Sequence, residues 1–245
     1  MTDIPSVRIP AALPEGVSQA TIGVRGGLLR SEFEETAEAM YLTSGYVYES
    51  ASAAEKAFTG EIDRFVYSRY GNPTISMFEE RLRLIEDAPA CFATATGMAA
   101  VFTALGALLG AGDRLVAARS LFGSCFVVCN EILPRWGVET VFVDGDDLAQ
   151  WEEALSVPTT AVFFETPSNP MQSLVDIAAV SELLMPPGRR WCWTTSLRRH
   201  CCSKACRWAP MWWCIRAPST STDRAVCSAG RSWVTRSTST ARCRS

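Results

Sequence analysis

Thr160-Ala161-Val162-Phe163-Phe164-Glu165-Thr166-Pro167-Ser168-Asn169-Pro170 is the stretch that decides the fold. Residues 160–165 form a short apolar run, the pattern of a strand covered on both faces. Polar groups and two prolines follow at once and make a rigid loop where the strand ends. In α/β sheets, ligands bind at that carboxyl edge. Working outward, residues 114–118 and 138–143 repeat the short apolar pattern. Helical stretches lie between these runs. Asn72-Pro73 starts a helix with Pro in its first turn, and Ile75, Phe78, Leu82 and Ile85 share one face. Gly97 opens a helix that stops near Gly110, others are expected over 126–133 and 147–155, and Asp176 caps one that runs to Leu183. Strands alternating with helices imply an α/β fold, a mostly parallel sheet with crossover helices on both faces. Residues 1–60 have little periodicity and read as an extended arm.

The composition is split. Residues 1–183 carry 11 Lys and Arg against 25 Asp and Glu, a balance of −14. Residues 184–245 carry 12 basic residues against the single acid Asp223, a balance of +11. Six of the eight Trp and seven of the ten Cys also lie there. A basic tail is one mark of nucleic-acid binding. His200, Cys201, Cys202, Cys206 and Cys214 raise the question of zinc, but their spacing matches no paired ligand pattern. The first 16 residues are polar and Pro-rich, without the apolar core of a secretion signal, and no apolar run reaches membrane-spanning length. The expectation is a cytoplasmic protein with reduced thiols, no membrane partner and no specific nucleic-acid partner.

Three motifs carry chemistry. In Tyr67-Ser68-Arg69-Tyr70-Gly71-Asn72-Pro73-Thr74 a guanidinium and a phenol stand beside a helix start, a pair able to hold a phosphate. In Thr94-Ala95-Thr96-Gly97-Met98 a glycine at a helix N-terminus leaves backbone N–H groups for an anion. In Glu165-Thr166-Pro167-Ser168-Asn169-Pro170 the amide of Asn169 suits a ring oxygen of a cofactor. Taken singly, each also reads as an ordinary loop or turn.

Together, in this order, the three motifs resemble the pyridoxal-phosphate (PLP) family of cystathionine synthases and lyases, methionine lyases and homoserine-ester sulfhydrylases. The likeness covers residues from about 18 to 183 and includes Gly45-Tyr46-Val47-Tyr48. It implies a type I aminotransferase-like fold, with an arm over 1–60 and an incomplete PLP-binding large domain over 61–183. It implies a homotetramer in which Tyr67 and Arg69 reach a neighbouring subunit's PLP phosphate. Gly97 and Met98 would give that phosphate backbone N–H groups, and Glu165 and Asn169 would lie by the ring. Phe122, in Ser120-Leu121-Phe122-Gly123, stands where many members stack a Tyr on the ring. That departure points away from a lyase. The implied activity is a sulfhydrylase step of methionine biosynthesis on O-succinylhomoserine and sulfide, with cystathionine γ-synthase or a related γ-lyase as alternatives.

The family continues with a strand ending in Asp and then a segment holding the lysine that bonds PLP. Neither appears in residues 184–245, and the chain's lysines, Lys56 and Lys204, lie in no such segment. Reading each codon's last base with the next codon's first two restores the pattern. Trp191-Cys192-Trp193-Thr194 is then forced to Val-Leu-Asp, and Met211-Trp212-Trp213-Cys214 to Val-Val-Val. Permitted codons place the family's lysine across Pro218 and Ser219, and residues 226–235 allow Leu-Gly-Gly-Ala-Ile-Leu-Gly-Asp. The restored pattern places one missing base near Leu183-Leu184. The expectation is an out-of-frame, disordered tail, no C-terminal small domain, and a chain without catalytic activity. The alternative of another class is a non-functional pseudogene product.

Overall fold

The computed structural model describes residues 16–86 and 90–183, and beyond them the backbone of three strands. The chain divides into two compact units between Ile85 and Glu86.

The first unit holds α1 (Gln19–Arg25), α2 (Ala51–Phe58) and α3 (Pro73–Glu86). The helix expected from Asn72-Pro73 is α3. Pro73, Met77 and Leu82 are its buried residues, while Ile75, Phe78 and Ile85 are half-buried. The other two helices interrupt what reads as an extended arm. Ser18 caps α1 by accepting from the Thr21 N–H at 3.2 Å, and Ser50 caps α2 by accepting from Ala53 at 3.1 Å. No residue of α1 is buried, and of α2 only Ala57 is. Helices that bury almost nothing leave no apolar period to read.

Gly27 is where the arm meets α3. Its φ is +69°, and a Cβ there would lie 2.7 Å from the Arg81 nitrogen and 2.9 Å from the Met77 oxygen, both backbone atoms that cannot swing aside. Gly27→Ala is therefore expected to destabilise this unit by about 2 kcal/mol or more, from left-handed strain and overpacking together. Urea unfolding followed by circular dichroism measures it.

The second unit is a seven-stranded sheet. Its strands are β1 (Phe92–Thr94), β2 (Arg114–Ala118), β3 (Glu139–Val143), β4 (Ala161–Glu165), β5 (Arg190–Thr195), β6 (Met211–Arg216) and β7 (Ala225–Ser228), in the order β1-β7-β6-β5-β4-β2-β3. The pairs β3–β2, β2–β4, β4–β5 and β5–β6 are parallel, while β7 runs antiparallel to both β6 and β1. Its helices are α4 (Gly97–Leu108), α5 (Gly123–Val127), α6 (Leu133–Arg135), α7 (Leu148–Leu155) and α8 (Ile177–Leu183). A π-helical segment, Val128–Ile132, joins α5 to α6. The strands and helices read from 97 to 183 are all present, within a residue or two, although the helix expected over 126–133 begins at Gly123 and runs through the π segment.

Alternation along the strands builds two cores. Leu115, Ala117, Ala161 and Phe163 face α4 and the α5–α6 run. Val116, Ala118, Val162 and Phe164 face α7 and α8, where Trp151, Leu155 and Val180 meet them. This two-faced burial is why the strands read as continuous apolar runs.

Within the stretch expected to be disordered, the backbone of β5, β6 and β7 is described and pairs into the sheet. All five residues of β4 are buried, and such a strand needs a neighbour on each side; β2 supplies one and β5 the other. Residues 184–189, 196–210, 217–224 and 229–245 lie outside the described residues, and with them His200, Cys201, Cys202, Cys206, Pro218 and Ser219. Cys214 is described by its backbone alone.

Candidate active site

Because β1 opposes β7 and β7 opposes β6, β1 runs in the same direction as β4 and β2. The carboxyl ends of β1, β2 and β4 therefore share one edge. They lead directly to Gly97 at the start of α4, to Phe122 before α5, and to the loop from Thr166 to Pro170. Two of the three motifs, with Phe122, are thus brought to the ligand-binding edge of an α/β sheet.

At α4, Thr96 is the N-cap. Its hydroxyl accepts from the Ala99 N–H at 3.1 Å, and its carbonyl accepts from Ala100 at 3.2 Å. The Gly97 and Met98 N–H groups have no acceptor among the described residues, which leaves them for an anion at the positive end of a three-turn helix. Thr96 was not singled out in the sequence, although a Thr just before an apolar helix is a cap signal.

Glu165, the last residue of β4, is 2% exposed. Its carboxylate accepts the Phe122 backbone N–H at 2.8 Å, which ties the loop after β2 to the end of β4. Phe122 and Met98 are half-buried against the same core, and the Cys125 Sγ lies 3.7 Å from the Met98 Sδ. Nothing in the sequence pairs residues this far apart. Burial pushes the nearby Cys129 thiol well above its ordinary range, which makes it an inert core residue.

The loop after Glu165 is held by its own backbone. Ser168 exchanges bonds with Ser173, accepting its N–H at the hydroxyl and donating to its carbonyl, each at 3.0 Å. Thr166 accepts from the Val175 N–H at 3.1 Å. Asn169 is half-buried, and its carboxamide has no hydrogen bond among the described residues.

In the first unit, the Tyr67–Thr74 loop is fixed by buried Asn72. Asn72 donates to the Tyr41 carbonyl and the Ser68 hydroxyl, both at 3.0 Å, and accepts from the Thr74 N–H at 2.9 Å. The Arg69 guanidinium lies 5.0 Å from the Tyr67 ring centre and 5.7 Å from that of Tyr70. It makes no ion pair among the described residues. A guanidinium stacked on a phenol and free of carboxylates is preorganised for an oxyanion.

The family model for Cys/Met metabolism PLP-dependent enzymes matches residues 20–187. The chain belongs to that family. Over 190 residues it is 82% identical to the O-succinylhomoserine sulfhydrylase of Mycobacterium tuberculosis, a match covering 78% of this chain and 47% of that one. The enzyme of the same name from Pseudomonas aeruginosa is 40% identical over 174 residues, covering 71% and 43%. The chain thus spans about half the length of the curated relatives it matches. The crystal structure of metB from Corynebacterium glutamicum superposes with a TM-score of 0.79 at 18% identity, covering 90% of this chain and 57% of that one. That likeness establishes the type I fold. N–H groups at a helix start and a carboxamide with no hydrogen-bond partner among the described residues, together with a half-buried aromatic ring, fit a phosphorylated aromatic cofactor such as PLP. No helix among the described residues is long and apolar enough to cross a membrane.

Proposed function

We propose that the intact enzyme is a PLP-dependent sulfhydrylase that converts O-succinylhomoserine and sulfide into homocysteine and succinate, and that this chain is its front part read out of frame beyond residue 183. The 82% identity to the mycobacterial enzyme carries the assignment of activity. Bound PLP supplies an electron sink when the substrate's α-proton leaves. Around it, Gly97 and Met98 give the phosphate their N–H groups, Phe122 covers the ring, Glu165 stands beside it and Asn169 bonds a ring oxygen. Tyr67 and Arg69 grip the phosphate of a neighbouring subunit in a homotetramer. Residues 61–183 are part of the PLP-binding large domain and residues 1–60 are its arm. A cytoplasmic location accords with the buried, reduced thiol of Cys129.

Two observations support the frame shift. The family match ends at residue 187, where the composition turns basic. The two stretches that the code forces to Val-Leu-Asp and Val-Val-Val lie within β5 and β6, and residues 226–228 of the third fall in β7. Thr194, whose codon would contribute to the restored Asp, pairs with Glu165 across the β4–β5 ladder. The restored lysine, across Pro218 and Ser219, follows the carboxyl end of β6 by two or three residues. With that lysine missing, the chain as read is catalytically dead.

Assay of the frame-restored protein tests the assignment. Homocysteine formation with sulfide is expected to exceed cystathionine formation with cysteine by about tenfold or more in kcat/KM, the discrimination a site gains from fitting one nucleophile. Preference for cysteine would make it a cystathionine γ-synthase instead.

A further inference from the structure

We propose that Glu165 is a positioning residue that acts through the Phe122 backbone, setting where the Phe122 ring stands at the cofactor cleft. The inference rests on the PLP reading of that cleft.

Phe122 is the N-cap of α5, and no side chain caps it from its own segment. A phenylalanine has no acceptor to offer, so the start of the helical run over 123–135 lacks the usual local device. Glu165 supplies a substitute from another strand. Its carboxylate takes the N–H of the N-cap residue itself at 2.8 Å, the bond that a Glu three residues into a helix makes in a capping box. Glu165 is 2% exposed, where a hydrogen bond lost without replacement is costly. The same turn is held on its other side, where the Phe122 carbonyl accepts from Phe126 at 3.0 Å and the Cys125 thiol meets Met98. Glu165 therefore links the end of β4 to the loop that presents Phe122, and through Cys125 to the start of α4. The Oε2 oxygen takes this N–H, and a carboxamide oxygen at the same reach would take it too, so reach should matter more than charge.

Three variants of this chain separate the possibilities: Glu165→Gln keeps reach without charge, Glu165→Asp keeps charge without reach, and Glu165→Ala keeps neither. Two readouts apply to each, amide hydrogen exchange in the peptide holding Phe122 and the affinity for pyridoxamine 5′-phosphate, which needs no lysine. Glu165→Gln is expected to keep the Phe122 amide protected and to bind within about threefold of the parent, whereas Glu165→Asp and Glu165→Ala lose protection and bind about tenfold more weakly, the net worth of one buried hydrogen bond. Weak binding by Glu165→Gln with the amide still protected would overturn the proposal in favour of direct contact between the charge and the cofactor. An unchanged Phe122 exchange rate in Glu165→Ala would overturn it outright. Should the parent bind no pyridoxamine phosphate, the PLP reading fails, and the exchange data still decide whether Glu165 holds the loop.

Discussion

Treated with PLP and then borohydride, the chain as read is expected to retain no covalent cofactor, and the same gene with one base restored between codons 183 and 184 is expected to retain one PLP per chain. Lys56 and Lys204 are the lysines available. Lys56 lies in the last turn of α2, in the first unit, and Lys204 lies outside the described residues. The restored lysine would follow β6, on the edge where Gly97, Phe122 and Glu165 already stand. On the proposed function its amine would also move protons between substrate carbons, so its loss should lower turnover by about 10³-fold or more, the scale of general acid–base catalysis. Mass spectrometry of the reduced protein reads the first outcome and homocysteine release reads the second. A reduced PLP adduct on Lys56 or Lys204, or turnover by the chain as read, would defeat the claim of inactivity.

Trp151→Ala should be the most destabilising single change in the second unit, at about 3–5 kcal/mol. Trp151 is fully buried between α7 and the sheet, and its ring meets Phe164 edge-on at 6.0 Å between centres. Its indole N–H donates to the Gly145 carbonyl at 3.1 Å, so truncation opens a cavity and strips a buried carbonyl of its donor. A loss of this size is a large fraction of a domain's usual stability. Chemical denaturation gives the value. Trp151→Phe should recover part of it by refilling the volume but not the hydrogen bond.

The parts of the fold that could be read in the sequence are those where burial writes a period. The runs 114–118 and 160–165 are legible because both faces of β2 and β4 are covered, and α7 because Asp147 caps it by accepting from Ala149 and Gln150. The strand β1, three residues long, and the helices α1 and α2, which bury almost nothing, left no such trace. The same division runs through the site. In the second unit, Gly97 and Asn169 are candidates by residue type and position alone. The bond from Phe122 to Glu165 joins residues 43 apart through a backbone donor, which no local pattern encodes. Residues 190–195, 211–216 and 225–228 lie in strands without an apolar period of their own, because strand pairing is a property of the backbone.

The ladder joining β4 to β5 and β5 to β6 bears on how the genetic code treats a slipped ribosome. Valine codons written GTG, read one base late, become TGG or TGC, so a valine run turns into tryptophan and cysteine. Aromatic residues share valine's preference for pleated backbone. On the frame-shift reading proposed above, Met211-Trp212-Trp213-Cys214 is such a translation of three valines, and its backbone lies in a strand. A one-base deletion in a guanine-rich valine run therefore erases chemistry more thoroughly than it erases secondary structure. The polypeptide that results can still present a strand to its neighbour after it has lost the residue that did the work.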